Sequence, residues 1–385
     1  MTLLTQEQVY ELTSLRRSLH RRPELSGEEA ETAERIADEL TRLGADRIWR
    51  GLGGHGVAAE FKGLKDGPTV LLRCELDGLP IYETSDQTYR SEVDGKGHLC
   101  GHDGHMVSLL GVAMGQATRP SEGRVILLFQ PAEETGAGAK AVIEDPRWPE
   151  IRPDFAFAYH NVPGRPLGEV GLRAGPGNCA SRGMQILLEG KSSHAAAPED
   201  GTSPGPGMAA LMEVLPRLST GAIGDSDFAL STLTHAVLGE PTFGIAPGHG
   251  EVFVTLRCMS DERMEALISE ALELIAQHTT GLVTDVLWHD VFLSVTNDAE
   301  ATEIARQAAA RQGLVPFDMK APMRWSEDFG RFGKDGAKAV LLYIGSGETH
   351  PQLHNPDYDF PDALIPLTAE LFYGIIANIL GIAPA

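Results

Sequence analysis

The segment HLCGHDGH, His98 to His105, brings a thiol and several imidazoles close enough along the chain to serve a metal ion. Cys100 and His102 stand two residues apart in a turn ahead of an apolar stretch, Met106 to Ala117, that reads as a helix. The positive end of a helix favours the thiolate, the form that binds a cation. Asp103 is placed to cap that helix. Taken alone, the same spacing also suits a surface turn rich in histidine.

FQPAEETGAGAK, Phe129 to Lys140, sets Glu133 and Glu134 directly after a very apolar strand. Open α/β sheets take their ligands at strand ends. A turn there can send one carboxylate to a cation and the other to a water, dividing the pair into ligand and general base. Two solvated acids opening a helix are the plainer alternative. Two further candidates follow: His160 in AYHNVPG, at the end of an expected strand, and His354 in QLHNPDYDF, in an expected loop. In RCELDGLP, Asp77 follows another strand, where it can accept a hydrogen bond from a liganding imidazole or simply cap a helix or form a salt bridge.

The elements that must position these residues are legible as periodicity. Leu12, Leu15 and Leu19, then Ile36, Leu40 and Leu43, recur at helical spacing and predict two helices around the turn RRPELSGEE. Short apolar runs at Val57 to Phe61, Thr69 to Arg73, Arg124 to Phe129 and Phe155 to Tyr159 predict buried strands. With helical stretches at Met106 to Ala117 and Ala137 to Ile143 between them, they indicate an α/β sheet. GPGNCASRG reads as a linker, after which strands around Met184 to Glu189, Ala229 to Leu238 and Glu251 to Cys258 accompany helices at Met208 to Leu218 and Asp261 to Gln277. That second style predicts an α+β insert. Helix, strand and helix then resume at Ala299 to Gln312, Ala339 to Ile344 and Thr368 to Leu380.

The 385 residues are enough for two domains, and 42% hydrophobic with 22% charged residues is the composition of a globular protein. A net charge of -22 without a basic cluster argues against nucleic acid and anionic membrane surfaces as partners. The N-terminus is amphipathic and lacks the apolar core of a signal peptide. Cys74, Cys100, Cys179 and Cys258 are too scattered for a disulfide scaffold. A cytoplasmic protein with free thiols is expected.

With these motifs assembled, the chain resembles the two-metal metallopeptidase family of aminoacylases, hippurate hydrolases and auxin-amino-acid conjugate hydrolases, with carboxypeptidase G as a more distant relative. LHRRPELSGEE, RCELDGLP, HLCGHDGHMVSLLG, FQPAEETGAGAK, YHNVPG, SSHAAAPEDG, WSEDF and LHNPDYDF carry the resemblance in the family's order across most of the chain. It implies that Cys100, His102, Glu134, His160 and His354 ligate two divalent cations, that Glu133 is the general base, and that Asp77 orients a ligand. The cations could be zinc, manganese, cobalt or nickel, all of which suit mixed S, N and O donors. The resemblance also implies a metal-binding α/β catalytic domain, residues 1–176 and 293–385, interrupted by an α+β lid, residues 177–292, through which a homodimer forms. His194 in SSHAAAPEDG would then stabilise the oxyanion in the partner's active site.

The implied reaction is hydrolysis of an N-acyl amino acid or similar small amide by a metal-bridging water. Hydrolytic removal of an amine from an aromatic or other unusual substrate is a second reading, and an inactive metal-dependent binding protein a third. The chain departs from the family where its lid usually has Asn-x-Ile-Pro: here GIAP places Gly244 at the Asn position, although Arg257 in VTLRC is kept. Ser203 likewise replaces the usual Asp in GTSPG. The lid Asn commonly helps hold a substrate's carboxylate, so its loss bears on whether a free carboxylate is recognised.

Overall fold

A computed structural model describes residues 3–382. The chain divides into two compact units, one formed by Met1–Gly177, Val295–Lys320 and Asp328–Ala385, the other by Asn178–Ser294 with Ala321–Glu327. This is a two-domain α/β protein. Among the described residues, no helix is long and apolar enough to cross a membrane.

The first unit is built on an eight-stranded sheet in the order Arg47–Leu52, Gly56–Lys62, Arg124–Gln130, Thr69–Glu75, Phe155–Val162, Lys338–Gly345, Val170–Leu172, Pro316–Asp318. Its four central strands, Arg124–Gln130 through Lys338–Gly345, run parallel. Parallel strands covered by helices on both faces need apolar side chains on both, and RVILLFQ, TVLLRCE and KAVLLYIG supply them, with almost every position buried.

The helix His102–Gly115 is apolar on all sides and buried throughout its first three turns, as an all-round hydrophobic helix must be. It packs against Gln6–His20 and Leu364–Leu380. Gln6–His20 is started by a capping box in which Thr5 Oγ1 accepts from the Gln8 N–H at 3.2 Å and Gln8 Oε1 accepts from the Thr5 N–H at 2.8 Å. The carboxyl ends of the central strands open on the segments that hold Asp77, Glu133, Glu134, His160 and His354.

The second unit is a four-stranded antiparallel sheet in the order Ala229–Leu238, His249–Cys258, Ala180–Glu189, Val283–Phe292. Burial alternates along His249–Cys258, so one face carries Val252, Val254 and Leu256. These pack in one core with Leu211 from the helix Gly205–Val214 and Leu267, Ala271 and Ile275 from Asp261–His278. Ser260 caps the latter helix by accepting from the Arg263 N–H at 3.2 Å.

Two local expectations change. GPGNCASRG is strand rather than linker: Gly175–Asn178 is extended and Ala180 begins a ten-residue strand. Only Gly175, at φ 81°, makes use of glycine's conformational freedom there. The helix expected from Met106 begins at His102, so the second motif residue lies inside its first turn.

Candidate metal centre

The turn before the buried helix depends on two glycines. Gly101 is the helix N-cap at φ 96°, and a Cβ there would sit 2.6 Å from Asn161 Oδ1. A Cβ on Gly104 would meet the Phe360 ring at 2.3 Å. Without side chains at these positions the helix start closes on the strand Phe155–Val162, and Cys100, His102 and His160 place their donor atoms within 4.8 Å of one another. Cys100 Sγ lies 3.3 Å from His160 Nε2.

Asp103 does not cap the helix, which has no side-chain cap. It is buried against Arg16 at 3.2 Å and His20 at 2.8 Å. Although burial opposes ionisation, the charges of His20 and Arg16 hold its carboxyl below the usual range.

Both buried imidazoles turn the same nitrogen toward the cluster. His102 Nδ1 donates to the Asp77 carbonyl oxygen at 2.8 Å, and His160 Nδ1 donates to the Asn161 carbonyl oxygen at 2.9 Å. With Nδ1 engaged, Nε2 is the nitrogen that each ring can offer a cation. Asp77 does more than accept from His102. Its Oδ2 accepts from Ser26 Oγ at 2.7 Å and from the Glu134 N–H at 3.0 Å, while Oδ1 lies 3.5 Å from His102 Nδ1. One residue thus fixes both an imidazole and the segment that carries the paired carboxylates.

That segment turns at Ala132, a non-glycine residue at φ 49°, and brings Glu133 and Glu134 beside His102. Glu134 Oε1 stands 3.8 Å from His102 Nε2 and 3.7 Å from His354 Nε2. Glu133 is buried, and its Oε1 accepts from the Asp328 N–H at 3.4 Å. His354 is half-exposed at φ 65°, held by its N–H donating to the Leu99 carbonyl at 2.9 Å. A left-handed conformation on a histidine points to constraint at a functional position.

The donor set fits divalent cations. Two ligand atoms each about 2.0–2.3 Å from one tetrahedral ion stand roughly 3.3–3.8 Å apart, which matches the 3.3, 3.7 and 3.8 Å separations here. His102 Nε2 is buried and makes no hydrogen bond. Two overlapping triads, Cys100–His102–His160 and Cys100–Glu134–His354, share the thiol. Burial, then Glu134 and Glu133, push the Cys100 thiol well up, while burial with His105 alongside pulls His160 down to about 3. The helix terminus is therefore not enough to create a thiolate at this position; an adjacent cation is what would stabilise it.

Sequence reasoning assigned no role to the groups behind the cluster. His105 Nδ1 lies 2.6 Å from Glu75 Oε2, and its Nε2 lies 2.5 Å from Asn161 Oδ1. Arg73 pairs with Glu75 and, at 2.6 Å, with Asp328. The available signal was Arg73 and Glu75 inside an otherwise apolar strand, where buried charges must be paired.

His194 belongs to the second unit. It lies exposed on a two-stranded ribbon opposite Ile245, with Nδ1 accepting from the Ala196 N–H at 3.0 Å. Gly244 immediately precedes the facing strand Ile245–Ala246, and its carbonyl accepts from the Ala195 N–H at 3.1 Å. Arg257 Nη1 donates to Ser326 Oγ at 2.9 Å.

Residues 71–378 match the model of peptidase family M20/M25/M40, and the chain belongs to that family. It is a metal-dependent amidohydrolase, with clusters of side chains able to hold metal ions in its first unit. The N-acetylcysteine deacetylase of Bacillus subtilis is 29% identical over 379 residues, covering 96% of this chain and 97% of that protein. The hippurate hydrolase of Campylobacter jejuni is 29% identical over 369 residues, covering 94% of each. Among solved structures, a dinuclear metal-binding peptidase of the M20 family from Bacillus subtilis aligns with a TM-score of 0.81 at 26% identity, covering 98% of this chain and 99% of that one.

Proposed function

We propose that this chain hydrolyses the amide bond of an N-acyl amino acid, with Cys100, His102, Glu134, His160 and His354 holding two divalent cations and Glu133 moving the proton. The observation that carries this reading is the meeting of those five donors, drawn from four separate segments, beside the buried carboxylate of Glu133. Zinc, manganese, cobalt and nickel all suit such a mixed thiolate, imidazole and carboxylate set.

When bound, the cations supply Lewis acidity that polarises the amide carbonyl and makes water a stronger acid. Glu133 takes a proton from the attacking water as its oxygen bonds to the carbonyl carbon. The carbon–nitrogen bond then breaks as Glu133 passes that proton to the departing nitrogen, leaving a carboxylic acid and an amine. Asp77 keeps His102 in the tautomer that presents Nε2. His194, supplied by a second copy of the chain through the insert, donates to the developing oxyanion. The dimer is then part of the reaction, and the four buried, unpaired cysteines suit a cytoplasmic setting.

The names of the relatives, a deacetylase and a hippurate hydrolase, favour amide hydrolysis over hydrolytic deamination. Incubating the metal-loaded protein with N-acetyl and N-benzoyl amino acids, and with the matching N-acyl amines that lack a carboxylate, tests the reading. Release of free amino acid is expected. Ammonia release without amide cleavage would overturn it, and equal rates on both substrate sets would show that Gly244 marks a lid that does not read the carboxylate.

A further inference from the structure

We propose that Arg16 is a positioning residue for the metal centre, tying the helix that bears His102 to the loop that bears His354. Its guanidinium is fully buried and meets three carboxylates: Asp103 at 3.2 Å, Asp359 at 2.6 Å and Asp362 at 2.9 Å. Asp103 is the residue after His102, in the helix His102–Gly115. Asp359 and Asp362 lie between His354 and the helix Leu364–Leu380, in a stretch with neither helix nor strand. One side chain from the N-terminal helix therefore joins two candidate ligand segments that are remote in sequence.

The loop needs such a tie. It is the one of the donor-bearing segments whose ligand is half-exposed, and its histidine is held at φ 65°. Besides the His354 N–H bond to Leu99, the Thr84 N–H donates to the Pro356 carbonyl at 2.6 Å and Arg17 Nη2 donates to Asp362 Oδ2 at 2.8 Å, and further anchors fall on Asp359 and Tyr358. Tyr89 Oη donates to Asp359 Oδ2 at 2.6 Å, His350 Nε2 lies 2.6 Å from the Asp359 carbonyl, and Asn161 Nδ2 donates to Tyr358 Oη at 2.5 Å. Asn161 follows His160, so the adjacent loop residues Tyr358 and Asp359 are fastened to the neighbour of His160 and, by way of Arg16, to the neighbour of His102.

A buried ion cluster is not needed for stability alone, because well-packed apolar residues often serve as well or better. What a fork of fixed N–H donors adds is geometry. Metal sites require their donors held closely in place, and loss of a group that orients a ligand typically lowers affinity about 10–100-fold.

The inference rests on His354 being a ligand, and the test separates the two. Zinc and manganese affinities of the full-length chain are measured by chelator competition for wild type, Arg16→Lys, Asp359→Asn and His354→Ala, alongside the thermal midpoint of each chelated protein. Asp359 is partly exposed, so Asp359→Asn keeps the test valid if Arg16→Lys fails to fold. The expected result is a loss of affinity of about 10-fold or more at one cation site in every variant, with turnover restored by excess metal in Arg16→Lys and Asp359→Asn. Weakened binding in His354→Ala with wild-type affinity in the other two, whatever their thermal midpoints, would overturn the positioning role. Unchanged affinity in His354→Ala would remove the ligand assignment, and the inference with it.

Discussion

His102 Nε2 and Glu134 Oε1 face each other at 3.8 Å, beyond hydrogen-bond range yet within the span of two donors on one cation. Both are anchored by Asp77, His102 through its carbonyl and Glu134 through its carboxylate. The separation is thus set by one residue acting on two segments.

Cys100→Ser should lower metal content per chain, because a neutral hydroxyl replaces the thiolate shared by the two triads. Elemental analysis after dialysis against a weak chelator reads the effect. Unchanged stoichiometry would remove Cys100 from the ligand set.

Glu133→Gln should keep both metals and lose turnover by about 10²–10⁴-fold, the usual contribution of a general base. Gln preserves the acceptor that meets the Asp328 N–H and cannot carry the proton. Metal loss with retained turnover would exchange the roles of Glu133 and Glu134.

Stability should fall as pH rises through the titration of His20. Burial alone would lower its pKa, but Asp103 and Glu83 lift it from 6.5 to about 9. A group whose folded pKa lies above its unfolded value stabilises fully below the unfolded value, here about 6.5, and loses that contribution through about 9. Urea midpoints of the chelated protein should decline across that window, and His20→Gln should flatten the decline. A slope unchanged by the substitution would assign it to other groups.

Mixing inactive His194→Ala and Glu133→Gln chains should restore activity if His194 works across a subunit boundary, since one site in the mixed dimer then has both groups. Removing an oxyanion donor costs roughly 10²–10³-fold, so recovery would stand well above either parent. Heterodimers that stay at the parental level would place His194 within its own subunit or outside the reaction.

What could be read from the sequence follows from how each residue announces itself. TVLLRCE and RVILLFQ announce buried strands because both faces are apolar. Val283–Phe292 does not: Asp285 on one side and His289 and Asp290 on the other confine its apolar run to Val286, Leu287 and Trp288, since much of the strand is open to solvent. Cys100, His102 and the Glu pair announce chemistry by type and spacing. Arg16 and His20 read as the polar face of an amphipathic helix, and their burial arises only when segments near 16, 103 and 359 meet in three dimensions. No local pattern encodes that meeting. Gly101 and Gly104 both precede the helix expected from Met106, whereas Gly104 lies inside the helix, where it admits the Phe360 ring.

Amide cleavage by this chain should depend on two cations held at one cluster. This dependence is tested most directly by stripping the protein with a chelator, adding back zinc, manganese, cobalt or nickel in small steps, and following amine release from an N-acyl amino acid at each step. No release is expected from the stripped protein, followed by a rise that levels off as two equivalents per chain are bound and that is absent throughout in Glu133→Gln. Full release by the stripped protein, or release by Glu133→Gln at the wild-type rate, would contradict it.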